Sequence, residues 1–421
     1  MPPGRRRYKH YLMEWKLPLS AGQDVRPDAL SQLRVALVHY WFMRRRGGER
    51  VVETLAEMFP QADIFALVMD PAWQETTFRA HKVTTSFLQR LPGAKRYYRK
   101  LLPLFPFAVE QFRLDDYDLV ISSESGPAKG VITGAKTCHI CYCFTPMRYL
   151  WDMYHQYRAG KGMGFISRAF FSMAAHYVRL WDLATASRVD YFATLSHHVA
   201  SRIRKHYRRD ATVIYPPVAV SAGSISPTVD DYYLVVSPLV DYKRVDLAIE
   251  ACNQLGRPLK IIGDGEEYRR LRRLAGPSVT FLGYVPDEVV RENYARCRAL
   301  LFPGEEDFGL VPVEVQSFGR PVIAYDCGGA RETVIGIQPG GPMSPENSSG
   351  VFFAEQSVDS LVAAMRFFES VESRFSPEFI RGHVQRFNVD RFKTEMRAFI
   401  TEKLAEFCRL SEVPRPGIMS G

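Results

Sequence analysis

The sequence predicts an α/β protein built from two doubly wound parallel sheets. Short apolar runs alternate with amphipathic helical segments along most of the chain, which is the pattern of strands joined by crossover helices. A Ser/Gly/Pro-rich segment at 221–230 interrupts this pattern, which restarts at Tyr232. The length of 421 residues fits two domains of roughly 150 to 200 residues each. Because parallel sheets bind ligands at the carboxyl ends of their strands, we expect a ligand cleft between the two domains.

The first half of the chain begins with a strand, a glycine loop and a helix. The apolar run 34–39 is followed by Gly47-Gly48 and by a helical pattern over 51–59. Further apolar runs predict strands at 64–68, 119–123, 139–143 and 191–194. In the second half, strands are predicted at 232–237, 259–262, 279–282, 299–302 and 321–324, with helices at 244–253 and 389–407.

These elements predict five segments. They are a mobile basic arm at 1–32, a first domain at 33–220, a linker at 221–230, a second domain at 231–385 and a terminal helical segment at 386–410.

Composition excludes several classes of protein. Lys and Arg number 55 against 46 Asp and Glu, a net charge of +9, which favours anionic partners such as nucleotide diphosphates, lipid diphosphates or an acidic membrane face. No nucleic-acid-binding motif accompanies this charge. No apolar stretch approaches the roughly 20 residues that span a bilayer, and the basic N-terminus lacks the apolar core of a signal peptide. The odd count of seven Cys favours a reducing compartment, so we expect a cytoplasmic protein.

Three closely spaced cysteines, at 138, 141 and 143, suggest a zinc site at first sight. Side chains alternate between the two faces of an extended strand, so Cys138 and Cys141 point in opposite directions. No further ligand with the spacing of a zinc site follows them. We therefore predict no metal site.

The segment 305–314 carries most of the functional signal. Glu306 follows the predicted strand at 299–302, and Glu314 lies in an amphipathic stretch. Pro312 fits best in the first turn of a helix, so Glu306 lies in the loop before that helix and Glu314 on the helix itself. Free N–H groups near 309–311 favour an anion at the helix start. The alternative for such a carboxylate pair is a solvated helix face.

This segment, followed by 317–324 and by Gly328-Gly329 with 330–334, resembles the retaining GT-B glycosyltransferases of family 4. The resemblance covers residues 34 to about 400. It implies two Rossmann-like domains that face a central cleft, with the C-terminal helix at 386–410 crossing back to the first domain. It also implies that Glu306 orients donor-sugar hydroxyls and that Glu314 holds the ribose. Asp307, Phe308, Gly309 and Leu310 are expected to bind the donor in the same loop.

Two further segments of the second domain match donor-binding positions of the family. The resemblance places cations against the donor diphosphate after the first strand, where the family usually has Arg and this chain has Pro238. That departure leaves Lys243, as a predicted catalytic residue, and Arg244 to offset the leaving-group charge. Gly263 and Gly265 are implied to lie beside the nucleotide. The alternatives are solvated cations at a helix start and a simple tight turn.

In the first domain the resemblance implies donor and acceptor contacts. Gly47 and Gly48 would approach the donor sugar and phosphate, and the arginines at 44–46 would meet an acceptor diphosphate. Phe144 stands where the family has a histidine that touches the donor sugar. Thr145, Arg148 and Asp152 are candidates to replace its hydrogen bond. Arg148, Tyr149 and Asp152 are the predicted acceptor-side residues.

The segment 90–107 interleaves cations with aromatic and aliphatic residues, a pattern typical of stretches that lie on anionic membranes. We predict that it contacts a membrane surface and a lipid-linked acceptor. A second basic segment, 202–209, is interpreted as a solvated helix face.

The resemblance implies a retaining, metal-independent hexosyltransferase, and we predict that it needs no cofactor. First-domain segments 60–64, 85–88 and 146–149 look most like bacterial mannosyltransferases of polysaccharide assembly, so GDP-mannose is the leading donor substrate. The expected acceptor is a polyprenyl-diphosphate-linked saccharide at the inner face of the plasma membrane. Alternatives are a UDP- or dTDP-sugar donor, a nucleotide-sugar-binding protein without turnover, suggested by Pro238 and Phe144, and a nucleotide-sugar epimerase.

Overall fold

The structure is a computed structural model that describes residues 27–43, 45, 47–159, 164–341 and 344–411. Most of the predicted arm at 1–32 lies outside these residues, as do Arg44 and Arg46. The last part of that arm is described: residues Pro27–Gln32 form a 3-10 helix, and Leu30 is buried in the core of the first domain. Leu30 therefore packs against the domain, whereas Ser31 and Gln32 are exposed, and the predicted mobile arm stays a prediction.

The first domain is a seven-stranded parallel sheet wrapped by helices, with the strand order β3-β2-β1-β4-β5-β6-β7. Its strands are β1 (Val35–Phe42), β2 (Asp63–Met69), β3 (Val83–Thr85), β4 (Leu119–Glu124), β5 (Cys138–Cys143), β6 (Tyr191–Thr194) and β7 (Ala211–Val213). Its helices are α1 (Gly47–Met58), α2 (Pro71–Glu75), α3 (Ala94–Tyr97), α4 (Phe105–Val109), α5 (Tyr154–Arg158), α6 (Phe165–Thr185) and α7 (His197–Tyr207).

The second domain is a second seven-stranded parallel sheet, with the strand order β10-β9-β8-β11-β12-β14-β13. Its strands are β8 (Tyr233–Val236), β9 (Leu259–Ile262), β10 (Val279–Gly283), β11 (Ala299–Phe302), β12 (Val322–Tyr325), β13 (Gly336–Ile337) and β14 (Gly350–Phe353). Its helices are α8 (Val245–Leu255), α9 (Tyr268–Leu274), α10 (Asp287–Arg296), α11 (Leu310–Gln316), α12 (Ala330–Thr333), α13 (Val358–Val371) and α14 (Pro377–His383). The final helix is α15 (Val389–Ser411).

Both sheets reverse their winding direction once, and each reversal lies at a central pair of strands. β1 pairs with β2 on one side and with β4 on the other, and β8 pairs in the same way with β9 and β11. Crossover connections leave such a central pair in opposite directions, so a crevice opens at the carboxyl ends of its strands. The two predicted doubly wound domains are confirmed, and each has one such crevice.

The C-terminal helix α15 belongs to the first domain in space. Its apolar face, which includes Phe392, Met396 and Ile400, is buried in the same core as β1 and β5. The predicted return of the chain to the first domain is therefore confirmed. The structure also extends the helix four residues beyond the predicted end at 407.

Two absences hold for the described residues. No helix in this part of the chain is both long and apolar enough to cross a membrane. No group of three His, Cys, Asp or Glu side chains within it is arranged to hold a metal ion. Cys138, Cys141 and Cys143 all lie on β5 and are buried as free thiols.

Candidate functional site

The loop after β11 places two carboxylates at the crevice of the second sheet. Gly309 precedes α11 with a φ of 94°, a conformation that costs glycine little, and Pro312 lies in the first turn of the helix. Glu306 therefore stands in the loop and Glu314 on the helix, as the sequence predicted. Gly328 and Gly329 support the loop, because a Cβ at either position would collide with the backbone at 306 or 308.

Glu306 and Lys243 form an ion pair across this crevice. Lys243 ends a 3-10 helix (Asp241–Lys243) that follows β8, so the pair joins the loops of the two central strands, β8 and β11. Both side chains are mostly buried but retain some solvent access. The two predicted catalytic residues are thus in direct contact at the carboxyl ends of the strands.

Arg244 has a different role from its neighbour. It adopts the left-handed conformation (φ 51°) immediately before α8, and its guanidinium lies 3.3 Å from Asp246 on the same helix. The structure therefore turns Arg244 toward its own helix, and its predicted contact with the donor stays a prediction.

Glu314 connects the two domains. One carboxylate oxygen is 2.7 Å from Arg50 Nη1 on α1, and the other accepts a 2.9 Å hydrogen bond from the buried Tyr294 hydroxyl. Burial lowers the pKa of Arg50, but the charge and hydrogen bond of Glu314 outweigh it and raise the pKa overall. Burial and the neighbouring Glu314 also raise the pKa of Tyr294, which keeps its hydroxyl proton. Glu314, the predicted ribose-binding residue, therefore forms an interdomain ion pair in this structure.

Asp307 faces the first domain and pairs with Arg202 of α7. Arg202 also reaches Asp152 (3.4 Å) and Glu305 (3.5 Å), and it is buried. The prediction of a solvated helix face at 202–209 is therefore wrong for Arg202, because the opposing domain covers it with carboxylates. This cluster lies between the predicted donor loop and the predicted acceptor side.

The acceptor-side residues lie around this cluster. Arg148 is 3.7 Å from Asp307 and stacks over the Tyr242 ring at 5.4 Å, and its buried Nε has no hydrogen-bond partner within the described chain. Asp152 approaches His206 at 3.3 Å, in addition to Arg202. The Tyr149 hydroxyl donates instead to Met147 Sδ at 3.0 Å. Arg148 and Asp152 thus face the cleft, whereas Tyr149 interacts with its own loop.

The predicted glycines allow segments of backbone to pack closely. A Cβ on Gly47 would collide with the Leu310 side chain of the other domain, and one on Gly48 would lie 3.0 Å from the Phe144 ring. Gly263 and Gly265 pack against the carbonyl oxygens of residues 237 and 239 in the same way, which joins the turn after β9 to the loop after β8. These positions shape the crevices, and their predicted contact with a donor stays a prediction.

Aromatic residues close the interior of the site. Phe308 is buried between the rings of Tyr215 and Phe387, so only its backbone is available to a ligand in the loop. Phe144 is buried beside Gly48, with its ring 6.4 Å from that of His39. His39 lies within 3.0 Å of the Ser123 carbonyl through Nδ1, and burial lowers its pKa to about 3, which keeps the imidazole neutral at pH 7.

A third interdomain contact lies at the start of α7. The Glu332 carboxylate accepts hydrogen bonds from the backbone N–H groups of His197 (2.9 Å) and His198 (3.0 Å). These donors have no partner inside the helix, and the helix dipole adds to their attraction for an anion. With the pairs at Glu314 and Asp307, this contact holds the two crevices face to face.

We predict that Glu332→Gln lowers the free energy of unfolding by about 1 kcal/mol, since the neutral amide retains one acceptor but loses the interaction with the dipole. Denaturant unfolding monitored by circular dichroism measures the change. Glu355→Gln, on an exposed loop of the same domain, is the matched control and should have no effect. An unchanged midpoint for Glu332→Gln would show that this contact adds nothing to stability.

Sequence reasoning missed several partners of the predicted site residues. Arg50 lies on α1, the helix that begins at the predicted glycine loop, so its position in the sequence could have indicated that it faces the cleft. Arg202 and Glu332 lie in the segments 202–209 and 330–334 already noted, but no pattern pointed to their partners or to Tyr294, because each meets a residue on another element. A cavity of about 940 Å³ lies elsewhere, along β1 to β3, and none of the predicted site residues lines it.

Comparisons with known proteins place both halves of the chain among glycosyltransferases. Residues 45–222 match the family model for Glycosyltransferase Family 4, and residues 222–377 match that for Glycosyl transferases group 1. The chain is 29% identical over 153 residues to an uncharacterized glycosyltransferase of Methanocaldococcus jannaschii, covering 35% of this chain and 43% of that protein. It is 26% identical over 164 residues to O-antigen chain mannosyltransferase C of Escherichia coli, covering 37% and 44%. The chain thus spans less than half the length of these two curated relatives.

Among solved structures, the Anabaena protein HepE in complex with UDP and glucose superposes with a TM-score of 0.64. It is 17% identical to this chain, and the superposition covers 88% of this chain and all of that protein. At this identity the likeness establishes the fold alone.

Proposed function

We propose, from the premise that this chain contains two glycosyltransferase domains in the GT-B arrangement, that it moves a sugar from a nucleotide diphosphate donor to an acceptor hydroxyl in the cleft. The observation that carries the proposal is the ion pair of Lys243 and Glu306 at the central strands of the second sheet. A cation and a carboxylate side by side suit a ligand that presents a diphosphate next to sugar hydroxyls.

Lys243 is the group that offsets negative charge as the glycosyl bond breaks. Pro238 removes the family's usual cation from this strand end, and Arg244 is held by Asp246, so Lys243 carries this task in the second domain. Arg148 adds a second positive charge from the first domain, and its buried Nε has no hydrogen-bond partner in the described part of the chain. These cations take the place of a metal ion in the proposed reaction.

Glu306 orients the donor sugar once the donor diphosphate has replaced Glu306 as the partner of Lys243. Its carboxylate accepts hydrogen bonds from sugar hydroxyls, which positions the anomeric carbon for attack. In a retaining reaction the acceptor hydroxyl attacks from the face that the diphosphate leaves, and a phosphate oxygen receives its proton. This path needs no nucleophile from the protein, which agrees with the proposed positioning and electrostatic roles of these residues.

Glu314 binds the ribose of the donor in this proposal. Its two oxygens are engaged by Arg50 and Tyr294, so donor binding exchanges one of these contacts for ribose hydroxyls. The loop after β10 supplies Tyr284, which is 88% exposed and offers a free ring surface to the nucleotide base. Gly263 and Gly265 keep the adjacent turn close to the β8 loop, which leaves room for the nucleotide.

GDP-mannose is the proposed donor, supported by the mannosyltransferase among the relatives and by the first-domain segments that resemble such enzymes. The proposed acceptor is a polyprenyl-diphosphate-linked saccharide of polysaccharide assembly, at the cytoplasmic face of the plasma membrane. The net charge of +9 supports an anionic acceptor of this kind. A UDP-sugar donor is the second candidate, favoured by the UDP-bound structure that shares this fold.

Sugar transfer from a panel of GDP-, UDP-, dTDP- and ADP-sugars to a membrane extract tests the proposal. We expect transfer from GDP-mannose with retention of the anomeric configuration, read by nuclear magnetic resonance of the product. Nucleotide binding without transfer from any donor would instead favour a binding protein, which the replacements at Pro238 and Phe144 suggest.

We predict that Glu314→Ala weakens binding of the donor nucleotide by on the order of 1.5 to 3 kcal/mol, the cost of removing a charged hydrogen-bond partner. Isothermal calorimetry with the preferred nucleotide measures the change. Arg50→Met is the matched control, because it removes the interdomain pair and leaves the carboxylate free for the ribose. Equal losses in both variants would mean that Glu314 holds the domains together and does not contact the ribose.

A further inference from the structure

The helix α6 presents a broad apolar face to solvent. Seven large apolar side chains of this helix are between 44% and 87% exposed. They are Phe165, Ile166, Phe170, Met173, Tyr177, Leu180 and Leu183. At about 100° per residue they span an arc of about 140° on the helix surface. A folded protein rarely leaves so large an apolar surface without a partner.

The opposite face of α6 is firmly anchored, so the direction of the exposed face is fixed. Asp182 is completely buried and pairs with Lys129. The same carboxylate accepts hydrogen bonds from Trp151 Nε1 (2.8 Å) and from the Tyr207 hydroxyl (3.0 Å). Arg179 adds a 2.8 Å hydrogen bond to a carbonyl of the preceding loop. The apolar face is therefore an outer surface of the domain, held in place by a polar network beneath it.

The basic segment 90–107 lies next to this helix. Leu102 packs into the same small cluster as Ala175 and Val178 from the inner face of α6. Leu104 and Phe107 of the segment are exposed. Its sequence contains five cations, Arg90, Lys95, Arg96, Arg99 and Lys100, and no carboxylate. The one carboxylate in the sequence of α6 is the buried Asp182. In the sequence, apolar groups therefore lie beside a surplus of positive charge, which matches the chemistry of an anionic bilayer surface.

We propose that α6 and the segment 90–107 form one membrane-docking surface, with α6 lying in the plane of an anionic bilayer and the cations of 90–107 contacting lipid phosphates. The arc of α6 is wider than the seam of a two-stranded coiled coil. A symmetric dimer through this surface would also bring two copies of the basic segment toward each other. The bilayer is therefore the partner that fits both the shape and the charge of the surface.

The docking surface connects directly to the acceptor side of the cleft. Met147 and Leu150 pack against the inner face of α6, and Arg148 and Asp152 belong to the same loop. A lipid-linked acceptor in the bilayer therefore meets this loop as it leaves the membrane. This last step rests on the proposed function, whereas the docking itself does not.

Co-sedimentation with lipid vesicles tests the docking surface, using the full chain without donor or acceptor. The test variant is Ile166→Ser/Phe170→Ser/Met173→Ser. The matched control is Val229→Ser/Ile335→Ser/Leu410→Ser, which changes three exposed apolar residues elsewhere. We expect the parent and the control to bind phosphatidylglycerol vesicles equally, and the test variant to bind at least tenfold more weakly. The unfolding midpoints of all three proteins should agree, because the changed side chains are exposed.

The basic segment is tested separately with Arg90→Gln/Lys95→Gln/Arg96→Gln, whose three residues are exposed. This variant should show a smaller preference for phosphatidylglycerol over phosphatidylcholine vesicles and a weaker dependence of binding on salt, because three of the five cations are removed. Unchanged sedimentation of the α6 variant, or a parent that binds no vesicles, would overturn the proposal. A parent dimer that the α6 variant converts to a monomer, measured by light scattering, would identify a second copy as the partner instead. Vesicle binding needs no turnover, so its outcome is independent of the sugar-transfer assay.

Discussion

Replacing Lys243 by alanine is expected to lower kcat by about 10²-fold or more, equivalent to about 2.7 kcal/mol of transition-state stabilisation. The reason is the position of the ammonium group at the carboxyl ends of β8 and β11, where it pairs with Glu306 and where Pro238 replaces the family's usual cation. Negative charge on the leaving diphosphate grows as the glycosyl bond breaks. Loss of the Lys243 ammonium group should therefore lower kcat more than it lowers donor affinity. Steady-state kinetics with the preferred donor, together with donor binding by calorimetry, separates kcat from affinity.

Two further variants sharpen this test. Arg244→Ala is the matched control, since its guanidinium interacts with Asp246 and its expected effect on kcat is much smaller. Lys243→Arg retains the positive charge and should recover part of the lost rate. If Lys243→Ala and Arg244→Ala reduce kcat equally and mildly, another cation, such as Arg148, must carry the leaving-group charge.

Replacing Asp182 by alanine is expected to reduce the free energy of unfolding of the first domain by about 3 to 5 kcal/mol. The substitution leaves the Lys129 ammonium completely buried without its carboxylate, and it removes the acceptor for Trp151 and Tyr207. Thermal and denaturant unfolding, followed by tryptophan fluorescence, measure the loss. Because Asp182 anchors α6, vesicle binding should weaken in the same variant.

The pair Lys129→Met/Asp182→Leu distinguishes an uncompensated charge from lost packing. Replacing both partners by apolar residues of similar size is often neutral for stability, so the double variant should be much more stable than Asp182→Ala. A double variant as unstable as the single one would mean that the hydrogen bonds to Trp151 and Tyr207, not the buried charge, dominate the cost.

Local patterns in the sequence were sufficient for the fold class and for the positions of Glu306 and Glu314 in the loop and on the helix. Buried parallel strands are nearly continuous apolar runs, which located β1, β4, β8 and β11 and the order of the two domains. Turn and helix-start rules placed Glu306 in a loop and Glu314 on a helix, because proline and glycine restrict the backbone within a few residues. The short edge strands β3, β7 and β13 have too few residues for any periodicity, and the sequence predicted neither these strands nor the interior strand β14.

Tertiary structure alone decided which side chains meet. Arg50 reaches Glu314 across 264 positions of the chain, and Arg202 reaches Asp307 across 105, distances over which no local pattern carries information. The same holds for α6, because its sequence does not reveal that its more apolar face is the exposed one. The buried ion pair of Asp182 with Lys129 holds one face of α6 against the domain and leaves the other face exposed. The sequence by itself determined the two sheets and the loop of Glu306, because backbone preference and burial act locally. The interdomain ion pairs and the outward face of α6 were decided only when folding brought distant segments together.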